Sequence, residues 1–238
     1  MKHVVLFSFI SVLLAGIILS SCGIVAAEPP RPTVIVITAI GPYFAGYEDL
    51  GDWLVGDSEK SAGSIEEGEY YLTIKQPRTL AWASQTRAFG DGIYELDARL
   101  VSGPEASGFG LLLLGSSDMS SFFYCMITGD GRYDVGFCQE NCRVEQSLIG
   151  GYKLAPAILT ANRNNHLRVE LAAGQITFLV NGAPVSQLQG ISYTSGLVGL
   201  IGESAQYGGF EAAFDNLSVV EPHPAAPVEI GTQPAVTP

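Results

Sequence analysis

Basic residues are scarce: 12 Lys and Arg stand against 24 Asp and Glu in 238 residues, a formal net charge of −12. Phosphate backbones require a basic face, so nucleic acid is excluded as a partner. Histidine is scarcer still. The chain has three, one of them (His223) among prolines, and with only four cysteines a metal centre of clustered His and Cys lacks ligands. No Gly-x-Ser-x-Gly elbow occurs, which removes a serine hydrolase signature, and no Asp-x-Asp-x-Asp calcium loop occurs either. Helical periodicity is missing beyond about two turns at a stretch. One long apolar run is present, Val4 to Leu19, and it falls short of the ~20 residues that cross a bilayer.

That run follows Lys2 and ends in Leu19-Ser20-Ser21-Cys22. A basic start, an apolar segment and small residues make an export signal, and the last four residues resemble a bacterial lipobox. The resemblance implies removal of residues 1–21 and diacylation of Cys22, so the protein is expected to be exported and lipid-anchored to the cell membrane or outer membrane, facing outside the cytoplasm. Val25-Ala26-Ala27 before Glu28 offers an ordinary cleavage site instead, which would release a soluble form. An uncleaved membrane anchor is the third option. Residues 22–33 carry Pro29, Pro30 and Pro32 and read as an extended linker. Residues 221–238 carry five prolines and no sustained periodicity, the composition of a disordered tail. A single domain, 34–220, is left between them.

After export, Cys125, Cys138 and Cys142 form an odd set in an oxidising compartment. Cys138 to Cys142 can close a small loop and is the favoured bridge. Cys125 to Cys138 across a hairpin is the alternative.

Inside the domain the hydrophobic period is two almost everywhere, which predicts an all-β fold, a two-sheet antiparallel β-sandwich. The expected strands are Thr33–Ile40, Glu69–Lys75, Thr79–Ser84, Gly92–Val101, Gly108–Leu114, Phe122–Ile127, Arg132–Phe137, His166–Ala172, Gln175–Val180, Gly196–Gly202 and Gly209–Val220. Turn residues separate them: Gly129-Asp130-Gly131, Ala173-Gly174, and Asn181-Gly182 before Pro184-Val185.

The ordered set Tyr47-Glu48-Asp49-Leu50 with Trp53, Gly68-Glu69-Tyr70-Tyr71-Leu72, Gly92-Ile93-Tyr94-Glu95-Leu96-Asp97, Gly108-Phe109-Gly110-Leu111, Phe122-Phe123-Tyr124, His166-Leu167-Arg168-Val169, Ile176-Thr177-Phe178-Leu179-Val180-Asn181-Gly182, Gly196-Leu197-Val198-Gly199 and Phe214-Asp215-Asn216-Leu217 resembles the concanavalin A-like lectin/glucanase jelly rolls. The likeness is closest to their laminin G-like and keto-disaccharide-hydrolase-like modules. The resemblance covers nearly the whole domain and implies two packed sheets, a concave face and carbohydrate as partner.

Laminarinase-like members of that fold carry Glu-x-Asp-x-Glu on one strand, whose alternation turns the carboxylates into the cleft. The nearest counterpart here is Glu95-Leu96-Asp97-Ala98-Arg99, and the guanidinium of Arg99 cannot act as acid or base. No catalytic residue is therefore assigned. The alternative is a glycan-degrading enzyme using Glu95 and Asp97 with Asp118 or Glu203, and the competing reading leaves Glu95, Asp97 and Arg99 on a solvated strand face. Sugar rings stack on aromatics while their hydroxyls meet polar side chains, which selects Trp82, Tyr124 and Tyr133 with Arg87 and Asn162 as candidate binding residues. Core packing competes for Trp53 and Trp82; Phe109, Phe122, Phe178 and Phe214 are expected in the core. No cofactor is required. A structural calcium is the one ion considered, held by Asp215 with Glu48, Asp49 or Asp52, against plain turn hydrogen bonds at Asp215-Asn216. The leading expectation is a surface-anchored, noncatalytic carbohydrate-binding lipoprotein. An enzyme and a module that meets an envelope protein through strand edges are the other two.

Overall fold

The computed structural model describes residues 43–45, 53, 55–193, 195–206 and 208–221. The leader, Cys22, the linker, the expected strand Thr33–Ile40, Glu48, Asp49, Asp52 and residues 222–238 lie outside the described residues. All described residues belong to one compact unit, Val34–Pro238.

No helix occurs among the described residues, and the strands build two antiparallel sheets. In chain order the strands are β1 Tyr43–Ala45, β2 Gly56–Asp57, β3 Ser61–Glu66, β4 Glu69–Ile74, β5 Leu80–Phe89, β6 Gly92–Ser102, β7 Gly108–Gly115 and β8 Phe122–Thr128. They continue as β9 Arg132–Gln139, β10 Val144–Ser147, β11 Lys153–Leu154, β12 Asn165–Ala172, β13 Gln175–Val180, β14 Ala183–Gln189, β15 Gly196–Glu203 and β16 Phe210–Val220. Sheet A runs β14-β13-β12-β6-β16-β4-β3-β2, with β1 also on β16. Sheet B runs β10-β9-β8-β7-β15-β5, with β11 also on β9. The chain crosses from one sheet to the other at the β4–β5, β5–β6, β6–β7, β11–β12, β14–β15 and β15–β16 connections, as a two-sheet sandwich requires.

Sequence pattern explains the two layers. On β6, Tyr94, Leu96, Ala98 and Leu100 are buried while Glu95, Asp97 and Arg99 are half-exposed on the other face. Sheet A thus has one wet side, the usual state of an antiparallel sheet. The core between the sheets gathers Phe109, Phe178 and Phe214, as expected, with Tyr70, Tyr94 and Leu96. Trp53 packs there on Tyr70, ring centroids 5.5 Å apart. Sheet B differs: every residue of β7 and β8 is buried, so its outer side is covered as well. Phe122 belongs to that outer cluster, with Leu112, Tyr124, Met126 and Ile201, and not to the core between the sheets.

The hairpins follow the turn residues. Asn181 (φ 51°) and Gly182 (φ 80°) take the left-handed pair that a two-residue hairpin needs, and Ala173-Gly174 does the same. The turn at Asn181-Gly182 leads into β14, a strand not expected from sequence. Its Pro184 has no N–H to donate, and β14 accordingly lies at the edge of sheet A. Strands β3 and β10 were also unexpected; both sit near sheet margins and lack a buried alternating face. Strand β5 runs on to Phe89 through a bulge opposite β15.

Cys138 and Cys142 are bridged, Cα atoms 4.7 Å apart. Cys125 is a buried free thiol whose pKa burial pushes up; it points to the core side of β8, opposite Cys138 in direction, so the alternative pairing is not made.

Candidate functional site

The outer side of sheet B is built by cross-strand rows. Backbone register lines up Trp82, Ile201, Gly110, Met126 and Asp134 in one row. The next on one side holds Leu80, Glu203, Gly108 and Thr128. The next on the other side holds Leu112, Tyr124, Gly136 and Ser147. Residues paired across an antiparallel ladder share a face, so one surface collects Trp82, Tyr124, Asp134, Glu145 and Glu203.

Two glycines give this surface its shape. A Cβ at Gly136 would collide with the ring and hydroxyl of Tyr124, and one at Gly108 would collide with the hydroxyl of Tyr152. Glycine inside a strand weakens it and marks a close approach. Here the gap lets each tyrosine lie flat and reach a carboxylate. Tyr124 Oη donates to Glu145 Oε1 at 3.1 Å, with Asp134 Oδ2 at 3.4 Å. Tyr152 Oη donates to Glu203 Oε2 at 3.1 Å.

Two of these carboxylates, Asp134 and Glu203, are poorly hydrated, while Glu145 is exposed. Burial, then the charge of Glu145, hold Glu203 above the usual carboxylate range. Burial raises Asp134 as well, against hydrogen bonds from Ser147 (2.6 Å) and the Val135 N–H (2.9 Å). Tyr124 and Tyr152 are pushed well up, first by burial and then by these anions, so both stay donors. Beside them opens a cleft of about 640 Å³ lined by Leu80, Trp82, Asn141, Cys142, Glu145 and Glu203, with Arg78 and Gln206 at its margin. Half-buried Trp82 packs on Phe122, centroids 5.2 Å apart. The disulfide loop forms the opposite wall: Glu140, Asn141 and Cys142 all have φ between 52° and 57°, a tight curl that the bridge closes.

No family model and no curated protein sequence matches the chain. Solved structures do match. The carbohydrate-binding module CBM66 from Bacillus subtilis superposes with TM-score 0.55 at 14% identity, over 71% of this chain and 95% of that one. A prokaryotic β-1,3-1,4-glucanase (lichenase) derived from a mouse hindgut metagenome gives 0.56 at 13% identity, over 77% and 100%. The Crh5 transglycosylase gives 0.56 at 12% identity, over 79% and 87%. The fold is the concanavalin A-like jelly roll. At such identities the likeness is one of architecture, and the site must be argued from its own residues.

Within this jelly roll the sequence-selected residues separate. Trp82 and Tyr124 do share the outer surface of sheet B. Tyr133 does not: it faces the core, and its hydroxyl donates to the Val185 carbonyl at 2.6 Å. Arg87 lies further along β5 with its guanidinium 5.0 Å from the Phe89 ring centroid. Asn162 is exposed in the connection before β12. Neither lines the cleft.

The alternative catalytic set is likewise divided. Glu95 and Asp97 lie on the outer face of sheet A, where Glu95 meets Arg168 at 3.1 Å and Asp97 meets His166 at 2.8 Å and accepts from Asn216 Nδ2 at 2.9 Å. Glu203 is on the opposite side of the sandwich and cannot join them. Asp118 sits exposed in the β7–β8 loop; hydrogen bonds from the Ser116 hydroxyl and the Ser120 N–H lower its pKa to about 2. Asp215 accepts from the Asn216 N–H at 2.7 Å, and its expected calcium partners lie outside the described residues. Among the described residues no cluster of three His, Cys, Asp or Glu could hold a metal. Sequence reasoning missed Asp134, Glu145 and Tyr152. The strand glycines Gly108 and Gly136 were the available signal, since each marks where a bulky neighbour crosses the sheet.

Proposed function

We propose that the domain binds carbohydrate in the cleft beside Trp82, as a noncatalytic lectin-like module carried at the cell envelope by a lipidated Cys22. The observation that carries the reading is an indole, two carboxylates and an amide that line one open cleft of about 640 Å³. An aromatic wall takes the apolar face of a sugar ring, and carboxylate and amide oxygens accept from its hydroxyls. Asn141 adds an amide and the exposed Arg78 a permanent positive charge. The Tyr124 and Tyr152 hydroxyls hold Glu145 and Glu203 in place before a ligand arrives, which spares binding the cost of ordering them. The named activities of the superposed structures, carbohydrate binding by CBM66 and glucan cleavage by the lichenase, support carbohydrate as the ligand class.

A glycan array with the full chain tests it. Saturable binding is expected, and Trp82→Ala should weaken it by about 2 kcal/mol, about 30-fold in Kd. No glycan signal, or equal affinity in the variant, would reject the reading. A second reading, glycan cleavage, is favoured by one observation: Glu203 is raised by burial and by a neighbouring carboxylate, as a general acid is. Product release that disappears in Glu203→Gln would establish it over simple binding.

A further inference from the structure

A second cavity, of about 510 Å³, opens on the flank where the edge strand β14 of sheet A faces β9 and the segment after β10 of sheet B. Phe123, Phe137, Leu148, Leu188, Ile191 and Tyr193 wall it. We propose that this mouth is a ligand site separate from the Trp82 cleft, taking a neutral, ring-bearing apolar small molecule.

Three observations carry the assignment. The rings stand in differing orientations: Phe123 and Phe137 are tilted 35° with centroids 4.4 Å apart, and Tyr193 is nearly perpendicular to Phe123 at 4.9 Å and 6.0 Å from Phe137. A further ring entering here meets both faces and edges, the two arrangements aromatic pairs favour. The lining also carries no charge, in a protein whose formal net charge is −12. An ionised ligand would lose hydration without gaining a counter-charge, a cost that a neutral apolar one does not carry. Apart from the Tyr193 hydroxyl, the polar side chains are confined to the exposed rim, where Gln139, Gln189 and Ser192 offer amides and a hydroxyl for one polar substituent. A volume of this size with apolar walls and a few rim donors is the usual anatomy of a small-molecule site.

The lip is fixed in place. The Ile191 N–H donates to the Gly174 carbonyl of sheet A's β12–β13 turn at 2.9 Å. Tyr193, one of the ring walls, packs its ring on Phe123 of β8 and Phe137 of β9 in sheet B. Residues 190–193 therefore strap the two sheets together at a set spacing and leave the mouth open. Gly190 (φ 84°) has nothing within 4 Å of where a Cβ would stand, so the lip itself is bare.

The test is a fluorescence titration of the full chain with N-phenyl-1-naphthylamine, a neutral probe that joins a naphthalene to a phenyl ring. The expected result is a saturable 1:1 rise in emission. Gln189→Trp, which puts an indole at the exposed lip without touching the core, should weaken binding at least 10-fold with an unchanged circular dichroism spectrum. Leu188→Gln should weaken it similarly from inside the mouth, and Trp82→Ala should leave it unchanged. Absence of saturable binding overturns the proposal. So does equal affinity in Gln189→Trp, or loss of probe binding in Trp82→Ala. Displacement of the probe at rising protein concentration, with a dimer seen by light scattering, overturns it in favour of a second copy as the occupant.

Discussion

Strands β8 and β9 serve both cavities, one from each face: they wall the apolar mouth directly, and from the other side they hold the Glu145, Trp82 and Cys142 that line the charged cleft. Phe122, Tyr124, Asp134 and Cys138 point outward to the charged cleft region, while Phe123 and Phe137 point inward to the apolar mouth. Alternation by single residues therefore sorts two opposite chemistries onto one hairpin. The charged surface had to be made by removing side chains, at Gly108 and Gly136, so that tyrosines could cross the sheet to carboxylates. The apolar mouth needed no such device, because it is a stretch of core left uncovered where the sheet edges do not meet. One is an addition to the sandwich and the other a gap in it.

If that division is right, each region should fail alone. The largest expected effect is at the mouth. Phe137→Ala removes a ring that stacks on Phe123, and should cost about 3 kcal/mol of stability and abolish probe binding, while glycan binding measured below the melting temperature stays within about twofold. Loss of both ligands together would show one coupled site. Next is Cys142→Ser, which opens the loop carrying Asn141 into the cleft. Closing so short a loop contributes about 2 kcal/mol in the chain-entropy account, so chemical unfolding should show a loss of that order, with weakened glycan binding and an unchanged mouth. Tyr124→Phe is smaller. It leaves Glu145 and Asp134 without a shared donor and should cost about 1.5 kcal/mol; a neutral result would mean water replaces the hydroxyl.

The same alternation decides how much could be read from the chain. Strand β6 announces itself, since Tyr94, Leu96, Ala98 and Leu100 alternate with polar residues, and the ordered motifs along the domain indicated the jelly roll. Strands β3, β10 and β14 were invisible because backbone pairing holds them at margins where no alternating face is buried. At the site, Trp82 and Tyr124 were legible as aromatics of the kind that stack on sugar rings. Glu203 was legible as an isolated carboxylate, but its partners were assigned to the wrong sheet. That error has a physical cause: Glu95 and Asp97 are close in sequence and look like a dyad, whereas Asp134, Glu145 and Glu203 converge only through cross-strand register. The unbroken apolar runs Leu111-Leu112-Leu113-Leu114 and Phe122-Phe123-Tyr124-Cys125-Met126-Ile127 were the direct sign that sheet B is covered on both sides.

The smallest expected effect is one of pH, and it separates the two regions most cleanly. Glu203 is held above its ordinary value of 4.5 in the folded protein, so between the unfolded and folded values the folded state binds the extra proton. Stability is then full below the unfolded value and falls as pH rises through the folded one. Glu203→Gln keeps an acceptor for the Tyr152 hydroxyl and cannot ionise, so it should remove this part of the slope. Asp134 is raised in the same direction, so wild type and variant both retain a downward trend, and the informative quantity is their difference. That difference should grow in the variant's favour with rising pH, read from urea midpoints at stepped pH. At the mouth nothing titrates between about pH 4 and 8, since its lining holds no acid or base other than Tyr193. Gln189→Trp should therefore give a flat difference over the same range. A flat difference for Glu203→Gln would mean that water reaches Glu203 as freely as it reaches an exposed carboxylate, and the charged cleft would lose its distinguishing property.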